Sequence, residues 1–369
     1  MLKTIIIIII IATGILEAVP TNLFYRSPIQ AQTYFREGIR QVKRQKYRSA
    51  IRSFRSAVQY DPNLGEAYLN LGACYERIDQ FEKSKPYFEK AISVDDNNSR
   101  LVYLYGVALG RNNQRKNAVK YLERAVYMDP KNPDYLYNLG VGYSSLTQYA
   151  YAATCFEQVT GIVSNNSAVW YNLALAKLYL SKTNEAVAAW ERVEFDSPVA
   201  ASALYYLALM AFEKHDYKTS MSKLKLSLAL EPGSIDAQYM KAVLYGKEGK
   251  YNQAINLLEE IYLIKRGNEI KEELFAQYYK WAEETAEKKE FKAALHRFRQ
   301  AGRYKPEDPD VQIRTAETAF EAGQYDIAKQ ALVRARSTAV TKGQEESVNE
   351  LREKLSGVIS KLPGQQKYK

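Results

Sequence analysis

Histidine occurs only twice in this 369-residue sequence, and its two copies do not fall into a reactive pattern. His215 and His296 stand far apart, with no His-Glu-x-x-His spacing that would place two imidazoles on one helix face around a metal. Adjacent acids such as Glu259-Glu260 and Glu283-Glu284 read as helix-surface charge rather than as acid–base pairs. No glycine-rich phosphate loop and no Ser or Cys nucleophile elbow is present. The residues therefore predict no catalytic centre, no metal site and no cofactor. The chemistry they do offer is that of contact. Tyrosine occurs 30 times against 12 Phe and 3 Trp. It brings large area at low entropic cost and one hydroxyl, which suits a peptide ligand. Cations cluster as well. Between residues 31 and 64, Arg36, Arg40, Lys43, Arg44, Lys46, Arg48, Arg52 and Arg55 oppose only Glu37 and Asp61. Between 99 and 132, seven Lys and Arg, Arg100 and Arg111 among them, oppose Glu123 and Asp129. Two such patches suit an anionic surface or an acidic protein, and they also suit a plainly solvated helix face.

The elements that must position these residues follow from a period of about 34 residues, which exposes self-similarity from near residue 31 to near residue 341. Units start near residues 31, 65, 99, 133, 167, 201, 235, 275 and 309. Counting from each start, position 8 is always small: Gly38, Gly72, Gly106, Gly140, Ala174, Ala208, Ala242, Ala282 and Ala316. Position 20 is Ala, or Ser at Ser84 and Ser220. Small residues at fixed offsets mark the close crossing of two helices. Polar breakers such as Asp79-Gln80, Asn112-Asn113, Thr147-Gln148 and Gly249-Lys250 separate the helices of each unit. Cys74 and Cys155 lie more than two units apart, too far to bridge, and read as small buried hydrophobes.

Stretches such as Tyr68-Gly72-Tyr75-Phe88-Ala91 and Leu139-Gly140-Tyr143-Ala152-Phe156 resemble the tetratricopeptide repeat family. The resemblance implies an all-α fold: a right-handed α-solenoid of about nine helix-turn-helix units with a C-terminal capping helix. It also implies that helix A of each unit lines a concave groove with positions 2, 5, 9, 12 and 13. Position 5 then presents Tyr103, Tyr137, Tyr171, Tyr205, Tyr239 and Tyr279 in six successive units, with Asn70, Asn138 and Asn172 beside that row at position 6. Side-chain amides there could bond an extended peptide backbone. The alternative is that these tyrosines pack on their neighbours. Position 9 turns acidic at Glu283 and Glu317. Chaperone-binding members of the family clamp a C-terminal carboxylate with Lys-Asn, Asn and Lys-Arg. The corresponding Phe35, Ile39, Asn70, Arg100 and Leu104 match at two places, so that clamp is not carried over.

Departures from the period divide the chain. Residues 31–268 hold seven units. Six extra residues, Glu269 to Leu274, lengthen the next helix A and place a bend or boundary before units 8 and 9 at 269–341. Pro86 inside a helix B predicts a kink. Residues 342–362 read as a capping amphipathic helix with Val348, Leu351, Leu355, Val358, Ile359 and Leu362 on one face. Residues 363–369 read as a disordered tail. At the other end, Met1-Leu2-Lys3-Thr4 precedes an apolar run from Ile5 to Leu16 that is too short to span a bilayer and reads as a signal peptide, with an uncleaved anchor as the alternative. The first 30 residues thus form a leader and linker, with Ala31 one of three cleavage candidates. Together these readings predict a non-enzymatic, exported, periplasmic or membrane-associated scaffold that binds a protein segment in its groove. The resemblance suggests envelope assembly, secretion or pilus biogenesis. Binding of lipid headgroups or an acidic glycan through the basic units 1 and 3 is the alternative. Nucleic acid and small-molecule substrates are not expected.

Overall fold

The computed structural model describes residues 27–359, Val340 excepted. The leader reading for residues 1–26 and the tail reading for 363–369 fall outside the described residues, as does Leu362 of the capping face. Every regular element among the described residues is an α-helix. In chain order they are α1 Pro28–Lys43, α2 Tyr47–Tyr60, α3 Gly65–Arg77, α4 Phe81–Val94, α5 Ser99–Arg111, α6 Arg115–Met128, α7 Pro133–Ser145, α8 Tyr149–Ile162, α9 Ser167–Tyr179 and α10 Thr183–Trp190. There follow α11 Ala200–Glu213, α12 Tyr217–Leu230, α13 Ile235–Lys247, α14 Tyr251–Ile264, α15 Asn268–Glu287, α16 Phe291–Tyr304, α17 Pro309–Glu321, α18 Tyr325–Thr338 and α19 Lys342–Ile359. Odd-numbered helices up to α17 are the A helices and even-numbered ones the B helices. None of the described helices is long and apolar enough to cross a membrane.

The chain divides into two compact units, the first ending at Val193 and the second beginning at Glu194. The first holds repeats 1–5 and the second repeats 6–9 with α19. Helix α10 stops after 8 residues, and Arg192 and Val193 close i→i−3 bonds on Ala189 and Trp190 in place of a further helical turn. The six residues inserted at Glu269 to Leu274 extend α15 to 20 residues. Helix α4 stays helical through Pro86, whose missing N–H withdraws a partner from the Glu82 carbonyl.

Within each repeat the sequence explains the pairing. A Cβ placed on Gly140 would sit 2.7 Å from the Phe156 ring, and one on Gly38 2.5 Å from the Phe54 ring. Glycine at position 8 therefore makes room for the fully buried aromatic that helix B inserts. Position 20 is buried too, and Ser220 donates its hydroxyl to the Ala208 carbonyl at position 8, 2.8 Å away. The A-to-B turn is the same in every repeat. Gln45, Asp79, Asn113, Thr147, Ser181, His215, Gly249, Lys289 and Gly323 all stand at position 15, and all have φ between 57 and 72°. The next residue donates back to the carbonyl five residues earlier, as Gln148 does to Tyr143 at 2.9 Å, while Thr147 itself donates to Ser144 at 3.0 Å. This is the left-handed helix-stop that satisfies the last carbonyls of an A helix. His215 thus holds a turn.

Helix α19 packs on α17 and α18 and buries Val348, Leu351 and Leu355, closing the apolar end of the second unit. Cys74 and Cys155 are free and buried, and burial pushes each thiol up to about 11.

Candidate functional site

The six position-5 tyrosines lie on A helices and are all half-buried. Tyr103, Tyr137 and Tyr171 belong to the first unit, and Tyr205, Tyr239 and Tyr279 to the second. In the first unit Tyr103 and Tyr137 are wired to the next repeat. Asn138 donates its amide to the Tyr103 hydroxyl at 3.0 Å and to the Asp134 carbonyl at 2.9 Å. Asn172 does the same to Tyr137 at 3.1 Å and to the Ala168 carbonyl at 2.8 Å. Asn70 gives its amide to the Glu66 carbonyl at 2.6 Å, but the corresponding residue of repeat 1 is Phe35, which has no hydroxyl to offer. The carbonyl acceptors identify the amide nitrogen in each case. Both amide hydrogens of Asn138 and Asn172 are therefore committed, and these side chains face a ligand with their carbonyl oxygens alone.

Several of the rings are engaged as well. Tyr103 stacks on Tyr135 with centroids 4.5 Å apart, Tyr137 lies 5.9 Å from Phe156, and Tyr279 meets Phe298 edge-on at 5.4 Å. Burial raises the hydroxyl pKa of Tyr103, Tyr137, Tyr205 and Tyr239, and pushes Tyr279 up to about 12 with help from Glu283. Within each unit these tyrosines thus help to hold the stack and still expose part of each ring.

At the far end of the second unit the acids read at position 9 are not alone. Arg314, at position 6 of repeat 9, reaches Glu283 at 3.3 Å and Glu317 at 3.1 Å, so this end is a charge cluster rather than an acidic one. The signal was present in the sequence, an arginine standing where Asn70, Asn138 and Asn172 stand in other repeats. Two further ties carry no signal within a single repeat. Lys177, nearly buried, bridges Glu157 and Glu185, and the Tyr143 hydroxyl donates to Glu123 at 2.6 Å. Position 11 here meets position 25 of the repeat before it, a pairing visible only across repeats.

The predicted basic residues Arg36, Arg40, Lys43, Arg44, Arg48, Arg52, Arg100 and Arg111 are all exposed. They do not act as one set. Arg100 and Arg111 face acids of the preceding A helix, Glu66 at 3.5 Å and Glu76 at 4.0 Å. Arg40 pairs with Glu37 on its own helix at 3.0 Å. Arg36, Lys43, Arg44 and Arg48 make no ion pair among the described residues.

Comparison with known proteins agrees with this architecture. Family models described as tetratricopeptide repeat match residues 65–98, 171–235, 235–268 and 286–345, and one described as anaphase-promoting complex, cyclosome, subunit 3 matches 111–193. No curated protein gives a significant match. Among solved structures, PilF of Pseudomonas aeruginosa is 21% identical with a TM-score of 0.50, over 58% of this chain and 97% of its own. The C-terminal part of a TPR repeat-containing protein from Cytophaga hutchinsonii is 18% identical with a TM-score of 0.54, over 65% and 99%. At these identities the likeness is one of fold. With the period, the paired helices and the repeated turn, it establishes that the chain is a tetratricopeptide repeat protein.

Proposed function

We propose that this protein is a non-enzymatic scaffold whose A-helix face binds an extended segment of a protein partner. The observation that carries the reading is the row of half-buried tyrosines repeated on successive A helices, flanked by Asn138 and Asn172 carbonyl oxygens that remain able to accept. An extended peptide brings unpaired N–H groups to such acceptors and side chains to the ring edges. The apolar run at the N-terminus supports an exported, periplasmic or membrane-associated location, and with it a place in envelope assembly, secretion or pilus biogenesis. N-terminal sequencing of the mature protein tests export. A mature chain that retains Met1 and fractionates away from membranes would overturn it. The buried place of Ala31 in α1 argues against cleavage at that candidate, since a cut there would strip the Ser27 cap that accepts from Gln30.

A second reading is favoured by Arg36, Lys43, Arg44 and Arg48, which stand exposed and without ion pairs among the described residues. They fit an anionic surface such as lipid headgroups or an acidic glycan. Such binding weakens steeply with salt. Binding that is indifferent to salt and lost with the tyrosines belongs to the first reading.

A further inference from the structure

Helices α16, α17 and α18, all in the second unit, enclose a cavity of about 430 Å³ on the B-helix side. Its wall carries Arg299, Arg303, Arg334 and His296, with Gln300 and Gln330 between them, and no carboxylate among the described residues lines it. The charge is not an accident of a mixed surface. Helix α16 contains Lys292, Arg297, Arg299 and Arg303 and no acid at all. Arg297 is consumed within the fold, lying 3.8 Å over the Trp281 ring. Arg299 and Arg334 are exposed and make no ion pair among the described residues. The Arg303 guanidinium donates to Gln300 Oε1 at 2.7 Å, and both side chains line the cavity. Beneath them the polar floor is satisfied: Gln312 gives its amide to the Pro306 carbonyl at 3.0 Å, and Thr315 its hydroxyl to the Val311 carbonyl at 2.6 Å. The donors of this floor are thus turned into the fold, the free donors of the cavity come mainly from its arginines, and the formal charge of its described lining is positive.

We propose that this cavity is a binding site for a phosphate group. Three guanidiniums sharing one concavity repel one another in the free chain, and a dianion relieves that repulsion more than a single carboxylate can. Each guanidinium is a planar fork that takes two oxygens, and three forks outnumber the two oxygens of a carboxylate but match a phosphate. The volume is ample for a phosphate with a further organic group attached. The site is separate from the tyrosine row, since it is built from B helices and from the buried side of α17.

The probe is inorganic phosphate, titrated calorimetrically into the full chain at physiological ionic strength. Saturable binding is expected, weakened about tenfold or more in the Arg299→Gln/Arg334→Gln variant, as loss of two charge-assisted contacts requires. Both side chains are exposed, and unchanged far-ultraviolet circular dichroism will show that the fold is retained. The Lys218→Gln/Lys225→Gln variant, altered at two exposed cations of α12 outside every proposed binding surface, is expected to bind as wild type. Phosphatidylcholine vesicles doped with phosphatidic acid separate the two sources of the group. Retention that the cavity variant loses assigns the phosphate to a lipid headgroup, and retention indifferent to it, with phosphate bound in solution, assigns it to a soluble ester. Absence of saturable phosphate binding in both arms, or equal loss in the two double variants, overturns the proposal. So does cavity-dependent binding of a tetraglutamate peptide without binding of phosphate.

Discussion

At the scale of single residues, the repeat is held by one turn geometry and one close approach. Position 15 is left-handed in all nine described turns, and Thr147 is the β-branched residue among them, with φ of 60°. A left-handed residue with a Cβ costs about 1–2 kcal/mol, and glycine returns roughly 0.5–1 kcal/mol of that as extra entropy of the unfolded chain. Thr147→Gly is therefore expected to raise the urea midpoint by an amount worth about 0.5–1 kcal/mol. A lowered midpoint would show that the hydroxyl, which reaches the Leu146 carbonyl at 2.7 Å, outweighs the strain. Gly140→Ala tests the close approach. Its Cβ must displace the buried Phe156 ring, at an expected cost of about 1–3 kcal/mol in the same measurement. The need for a small residue was legible in the sequence, because position 8 never varies beyond Gly and Ala. The left-handed turn was only half legible. Asp79, Asn113 and Gly249 carry the usual signal, but Gln45 and Lys289 carry none, and only their place in the period puts them there.

At the scale of helices, the tyrosine row changes meaning once the cross-repeat bonds are seen. The sequence places Tyr103, Tyr137 and Tyr171 on one helix face. It does not say that Asn138 and Asn172 reach back 35 residues to bond the first two hydroxyls, since that contact depends on how A helices stack. A double-mutant cycle separates the two roles. Tyr103→Phe is expected to cost about 0.5–1.5 kcal/mol of stability. Asn138→Ala also loses its bond to the Asp134 carbonyl, yet the double variant should cost less than the sum of the singles. Full additivity, read from urea unfolding of the four proteins, would mean that the hydroxyl bond contributes nothing. The division of the chain at Val193 was not legible for a similar reason. The early end of α10 carries no inserted residue, whereas the insertion at Glu269 to Leu274 is obvious in the sequence and simply lengthens α15.

At the scale of the whole molecule, the abundance of tyrosine gives a pH signature. Burial raises the folded pKa of Tyr68, Tyr103, Tyr137 and Tyr205, and of Tyr279 and Tyr304 to about 12. Unfolded tyrosine titrates near pH 10, so above that pH the unfolded chain loses protons first and gains on the folded one. The stability held in these hydroxyls is full below about pH 10 and is lost as the pH rises toward 12. The urea midpoint should fall across that window while tyrosinate absorbance lags until unfolding, and a flat midpoint would contradict the burial seen here. The repeat architecture itself was legible from the period alone, because spacing survives where individual residues drift. What the row is for is the part that spacing leaves open. The most direct measurement is capture of partners on the full chain and on a Tyr205→Ala/Tyr239→Ala variant, with Arg299→Gln/Arg334→Gln as the control on the opposite helices. If the A-helix face is the binding surface, the tyrosine variant will keep its circular dichroism spectrum and lose the partner that wild type and control retain. Equal recovery by all three proteins would contradict it.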